Sequence, residues 1–210
     1  MLWRWLVQGI GLMMTQTHLL VAAALFTRPG SIRRNTAVIA GSLIPDLAIF
    51  VLFGWAISQG ISQETLWNET YWTEPWQTLT AAGNSFPLYA LLFVTALVIA
   101  RPSDGRPHWQ SLPALFALAA LTHLAGDFPL HNDDAHQHFW PISEWRFQSP
   151  VSYWDRDHNA NLVAPLELIF GAGLALILFR RFKNWGIRIM LGSLLLFYAA
   201  VPIFFLLQLS

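Results

Sequence analysis

An all-α, polytopic bundle of about six membrane-spanning helices is the fold this sequence predicts. Three observations point to it. Hydrophobic residues fill 55% of the 210 positions and charged ones only 11%, too little polar surface to coat a water-soluble globule of this size. Apolar runs of helix length recur along the chain, and the mean hydropathy is +0.44. The connections between runs alternate between short basic segments and long, acidic, Trp-rich ones.

A hydrocarbon core of ~30 Å needs about 20 mostly apolar residues per helix. In chain order, the runs that approach this are Trp5 to Thr27, Asn35 to Ser58, Ser85 to Ala100, Trp109 to Phe128, Leu162 to Phe179 and Ile187 to Leu207. The first carries His18, and the second carries Pro45 followed by Asp46. The third contains no acidic, basic or histidine residue, and the sixth only Arg188 at its start. The fourth ends in His123 and Asp127, and the fifth holds Glu167. Hinges are expected at Pro45, Pro87, Pro113, Pro165 and Pro202, where freed carbonyls need other partners. With no internal repeat and no low-complexity linker, residues 1–210 read as one transmembrane domain, with residues 129–161 as an outer lid.

Charge placement sets the expected orientation. Nine of the 12 Lys and Arg residues (Arg28, Arg33, Arg34, Arg101, Arg106, Arg180, Arg181, Lys183 and Arg188) fall in the short connections, which the positive-inside rule assigns to the cytoplasm. Both termini and both long loops then face out, as expected for an integral protein of a bacterial inner membrane. Trp67, Trp72, Trp76, Trp140, Trp145 and Trp154 suit the headgroup layer of a membrane lipid leaflet. Arg4 before an apolar run has the form of a signal peptide, but the basic cluster directly after that run favours retention. Met13 or Met14 is an alternative start to Met1, leaving a short first helix that opens beside His18. The basic residues form no extended patch, so no nucleic-acid partner is expected.

No cysteine is present, which excludes disulfides, thiolate metal sites, iron–sulfur clusters and Cys nucleophiles, and leaves nitrogen and oxygen as metal ligands. Only His18, Asp46, His123, Asp127 and Glu167 place an ionisable group well inside an expected span, where each is costly unless it faces a partner or a wet cavity. At 1.5 Å per residue, His18 and Asp46 lie about 14 and 16 Å from the inner ends of their helices. His123 and Asp127 lie about 21 and 27 Å above Trp109, and Glu167 lies about 8 Å below Leu162. All five fall in the middle-to-outer half, which predicts one outward-facing polar pocket. His123 and Asp127, four apart, share a helical face. Asp127 also falls at the negative end of its helix, where a bound cation would relieve an otherwise unfavourable charge. Above them, HNDDAHQH supplies His131, Asp133, Asp134, His136 and His138.

The segments THLL with His18, LIPD with Asp46, THLAGD with His123 and Asp127, and FWPISEWRFQSPVS from Phe139 to Ser152 resemble the membrane-bound, metal-dependent hydrolase-like family of inner-membrane proteins. These short motifs are spread over most of the chain. The resemblance implies a metal-dependent hydrolase with His18, Asp46, His123 and Asp127 as ligands. Two departures are visible: Ala48 stands where the family has a second aspartate, and an H-R-G-x-T-H-S element is missing. Some similar sequences carry a cobalamin-biosynthesis label, a chemistry that needs a Cys nucleophile and a nucleotide-binding domain absent from this sequence.

Mixed imidazole and carboxylate ligands suit Zn²⁺ or Mn²⁺, one or two ions. Such an ion would activate water for attack on an ester or phosphoester. Glu167, Asp134, His136 and His138 are the candidate general bases, since each offers a carboxylate or imidazole near that water. Arg146 and Arg156 are candidates for gripping the phosphate of a lipid-linked phosphoester. Two other classes stay open: a non-catalytic metal-binding scaffold subunit, and a component of an ion or metabolite transporter, which would need polar groups through the inner half as well.

Overall fold

The computed structural model describes residues 12–99, 105, 107–153 and 155–208. Arg4, Arg101, Arg106, Trp154 and the first part of the expected first span lie outside them, as does the side chain of Arg156. Among the described residues there is no strand. The helices are α1 (Leu12–Phe26), α2 (Ile32–Leu43), α3 (Leu47–Ser58), α4 (Gln63–Asn68), α5 (Glu74–Gly83), α6 (Phe86–Ile99), α7 (Leu112–Asp127), α8 (Ala160–Arg181) and α9 (Trp185–Gln208).

Helix α7 is the axis of the bundle. It starts at Ser111 with Pro113 in its first turn, where proline's fixed φ is favourable and its missing N–H costs nothing. Four alanines, together with Leu115, His123, Leu124 and Asp127, are buried along it. Their small side chains let α1, α2 and α6 approach closely. The tightest approach is to α2, where a Cβ on Gly41 would sit 2.2 Å from the Phe116 carbonyl oxygen. Ala22, Val38, Leu115 and Ala119 form the apolar contact joining α1, α2 and α7. Leu20, Ala175, Leu178, Phe182 and Leu191 join α1 to α8 and α9. At the basic end, Arg181 Nη1 donates to the Ala24 carbonyl at 2.7 Å, satisfying a carbonyl in the last turn of α1.

Two stretches are long and apolar enough to cross a membrane: Glu74–Ile99, formed by α5 and α6, and Ala160–Arg181. A third is reached if α2 and α3 count as one span. Their outer faces carry large uncovered apolar side chains: Leu91, Val94 and Val98 on α6, and Leu162, Leu166 and Ile169 on α8. A soluble monomer rarely shows such contiguous patches.

Three expectations change. The second run is not one helix: α2 and α3 meet at a 67° bend, because Pro45 has no N–H to continue the ladder. Its carbonyl accepts from Asn84 Nδ2 at 3.3 Å instead. The segment from Gln59 to Asn84 is not a loop, for it folds into α4, a 3-10 turn (Thr70–Trp72) and α5. Ser62 caps α4 by accepting from the Thr65 amide. The third run is correspondingly extended by α5 at its outer end.

Residues 129–159 form the irregular lid, with one 3-10 turn, Arg156–His158. Backbone bonds hold it down: Phe86 N donates to His138 O at 2.8 Å, and Ser149 N to His131 O at 2.9 Å. Phe128 stacks on Phe147 and meets Phe139 edge-on, so an aromatic cluster seals the lid to the C-terminal end of α7.

Candidate metal centre

Asp127 is where the buried polar groups meet. One of its oxygens, Oδ1, lies 2.7 Å from His18 Nε2 and 3.5 Å from His131 Nε2. The other, Oδ2, lies 2.9 Å from His123 Nε2. Asp46 Oδ1 is 3.5 Å from His123 Nε2, and its Oδ2 accepts a short hydrogen bond from Thr15 Oγ1. The four residues singled out in the sequence therefore come together, and the group is buried: His123 is 1% exposed, Asp127 3% and His18 6%.

Local structure explains each placement. The i, i+4 spacing puts His123 and Asp127 one turn apart on α7. The break at Pro45 turns Asp46 toward them, at the start of α3. His18 comes from α1 and stacks on His123 with ring centroids 4.0 Å apart. It fits because position 126 is glycine: a Cβ there would lie 2.6 Å from His18 Cε1.

The tautomer of His123 follows from its other nitrogen. Nδ1 lies 2.7 Å from the Ser42 carbonyl oxygen, which can only accept, so Nδ1 carries the proton and Nε2 presents its lone pair to Asp46 and Asp127. That is how a protein usually orients a metal-ligating histidine. Neither His18 Nε2 nor His123 Nε2 has a hydrogen-bond partner, despite the short distances to Asp127. In a hydrogen bond the oxygen lies on the ring nitrogen's axis. Around a chelated ion, the neighbouring oxygen lies well to one side of that axis. Ligand atoms about 2.1 Å from a tetrahedral ion are about 3.4 Å apart; the contacts of His131 with Asp127 and of Asp46 with His123 match this at 3.5 Å, and those of His18 and His123 with Asp127, at 2.7 and 2.9 Å, would lengthen as an ion entered. His18, His123 and Asp127 are thus a buried group that can hold a metal ion.

The lid brings a second group against the first. Asp127, His131 and His136 also have ligand atoms within 4.8 Å of one another. His131 Nδ1 donates to Asp134 Oδ2 at 2.9 Å, and His138 Nδ1 donates to the Asn84 carbonyl at 3.0 Å. Burial alone would pull the His131 pKa down, but Asp134 and Asp127 outweigh it and hold it well above the ordinary imidazole value. Burial, followed by the charge of His131, pushes His136 down to about 3, so its ring is neutral and has a lone pair to offer. Burial likewise lowers His138.

The remaining candidates fall at different distances from this centre. Glu167 on α8 is hydrogen-bonded with Thr17 and within electrostatic reach of His18 and Asp127, and its Oε1 is buried with no partner. Asp134 is engaged with His131 and orients that ring. Arg146 is held by the protein itself: Nη1 donates to the Ala135 carbonyl at 2.6 Å and Nη2 to Gln77 Oε1 at 2.8 Å, tying the lid to α5. His158 pairs with Asp155 at 2.6 Å, and neither is among the groups brought to Asp127.

Sequence reasoning did not single out four contributors. Thr15 and Thr17 precede His18 by three and one positions, and an ionisable-residue search passes over hydroxyls. The Ser42 carbonyl is a backbone group with no sequence signature. Tyr153 meets the His131 ring edge-on, with centroids 5.7 Å apart. Its burial, and then the charge of Asp127, push its phenol pKa up, so it keeps its proton. Comparison with known protein families, curated proteins and solved structures finds no match to this chain.

Proposed function

We propose that this chain is an integral-membrane, metal-dependent hydrolase that cleaves an ester or phosphoester at the outer headgroup layer. His18, His123 and Asp127 hold the ion, Asp46 closes the ligand set, and Zn²⁺ or Mn²⁺ suits these donors. The observation that carries the reading is a pair of buried Nε2 atoms without hydrogen bonds, both beside one carboxylate. A divalent ion held there supplies Lewis acidity and brings the pKa of water beside it toward neutrality.

The chain's own residues do the rest. Ser42 fixes the tautomer of His123, and Thr15 fixes Asp46. Glu167, with an unpartnered buried oxygen, takes the proton from the attacking water and returns it to the leaving oxygen. The lid excludes bulk water, and Arg146 keeps it seated. The six-span topology with both termini outside, residence in a bacterial inner membrane, and a lipid-linked substrate belong to this proposal. They draw on the alternation of basic and acidic connections, the exposed apolar faces of α6 and α8, and the resemblance to membrane-bound hydrolases.

The test is metal content and turnover of detergent-purified protein on nitrophenyl esters, phosphomonoesters and phosphodiesters, with Asp127→Ala alongside. Bound metal and turnover that both vanish in the variant support the proposal. Equal metal in the two proteins removes the ligand set. A second reading, a metal-binding scaffold subunit, is favoured by the near-complete burial of the ligand atoms. Metal without turnover on any substrate would select it.

A further inference from the structure

We infer that the lid carries a second cation seat, formed by His131 and His136 with Asp127 shared between the two sites, so that the protein holds a pair of divalent ions and acts on phosphoesters. The inference rests on the metal reading of the first site and adds to it the number of ions and the substrate class.

Four observations carry it. Asp127 belongs to both candidate ligand groups, and its two oxygens have different neighbours: Oδ2 is against His123, while Oδ1 lies between His18 and His131. A carboxylate with imidazoles on both oxygens is arranged as a bridge. Second, His131 is oriented as a ligand, because its Nδ1–H is taken by Asp134 and its Nε2 is left facing Asp127. Third, His136 Nδ1 is buried without a hydrogen-bond partner, in a residue 4% exposed, and a polar atom so placed is costly unless something satisfies it. Fourth, the rings of His131 and His136 lie 4.8 Å apart within a lid whose His138 carbonyl accepts from the Phe86 amide at the start of α6. Simple aromatic packing would account for buried rings, but not for nitrogens converging on a carboxylate that two other imidazoles already approach.

Two ions sharing a carboxylate generally stand about 3.5–4 Å apart and stabilise both the attacking and the leaving oxygen of an in-line displacement. That geometry fits phosphoryl transfer to water. Water oxygen forms the new P–O bond, the ester P–O bond breaks, and the proton released from water goes to the leaving alkoxide.

Full-length protein in detergent, stripped of metal, would be titrated separately with Mn²⁺ and Zn²⁺. Bound ions per chain would be counted by elemental analysis, with electron paramagnetic resonance on the Mn²⁺ samples. Two ions per chain and an exchange-coupled Mn²⁺ spectrum are expected. His136→Gln, close in size to the native ring, should retain one ion and show an isolated Mn²⁺ signal, and Asp127→Asn should lose both. A single ion in the unaltered protein overturns the second seat and leaves the first site standing. No ion at all overturns both. Two ions that persist in both His136→Gln and His131→Gln place the second seat elsewhere and overturn the assignment. A variant that loses metal counts only if its melting temperature without metal matches that of the metal-free parent. If it does not, His136→Asn replaces it in the same assay.

Discussion

His123 donates from Nδ1 to the carbonyl oxygen of Ser42, 2.7 Å away on the neighbouring helix. That one bond decides which nitrogen of the most deeply buried imidazole faces Asp127. It depends in turn on how closely α2 lies against α7.

Gly41 precedes Ser42 and permits that closeness. Gly41→Ala would put a Cβ 2.2 Å from the Phe116 carbonyl oxygen, a backbone atom that can move only with its helix. We expect a loss of about 1–3 kcal/mol of stability, with the Ser42 carbonyl displaced from His123. Thermal unfolding in detergent reads the first effect and metal titration the second.

Gly126→Ala tests His18. The added methyl would sit 2.6 Å from His18 Cε1, while alanine is about 1 kcal/mol better than glycine within a helix. Metal affinity should fall at least about tenfold, the scale of losses when a ligand's support is disturbed, with helicity unchanged by circular dichroism. Undiminished affinity would remove His18 from the ligand set.

Asp134→Asn keeps the shape of the side chain that orients His131 but removes its charge. Partners of this kind are typically worth 10–100-fold in metal affinity. Loss of that size is expected for one of the ions, read by isothermal titration.

Metal binding should weaken as pH falls, because His131, held well above the ordinary imidazole value by Asp134 and Asp127, must give up its proton to bind an ion. The imidazole ligands bind as neutral rings, so protons compete with the ion and binding releases them. The sign is fixed: affinity rises with pH and declines as pH falls. Titrations at three pH values in two buffers of different ionisation enthalpy measure the protons released.

Gln77→Ala removes the acceptor of Arg146 Nη2 far from the ligand atoms. We expect the lid to open more readily, with faster proteolysis of residues 129–159 and a loss of about 1.5–3 kcal/mol for a bond from a charged donor. Metal content at saturation should be unchanged.

The helical part of the site was legible in the sequence because a period of 3.6 is local. H-x-x-x-D places two side chains on one face whatever surrounds the helix, and an ionisable group in an apolar run attracts attention by its cost. The proline before Asp46 announced a kink, but not a 67° break, since the angle is set by tertiary contacts that a local pattern does not encode. The lid was not legible beyond its composition. Nothing in HNDDAHQH says that His131 and His136 turn inward while Asp133 stays exposed, because an irregular loop has no period to read. The local partners of Arg146 were not legible for a related reason: its sparse basic surroundings suggested a phosphate, and nothing local in the sequence says that its guanidinium reaches Ala135 and Gln77. The number of spans rests on uniform hydropathy, which does not distinguish a helix that crosses a bilayer from a short one, such as α7, enclosed by others.

Enclosure of His18, His123 and Asp127 would govern how an ion reaches them. With side chains this hidden beneath a lid that bonds to α6 and packs on α7, exchange with solution has to wait for a rare opening, so chelators should strip the folded protein over hours rather than seconds. Loading would then be an event of biogenesis: a cation present while the lid settles would be the one retained, and cellular supply at that moment, more than equilibrium preference, would select the element.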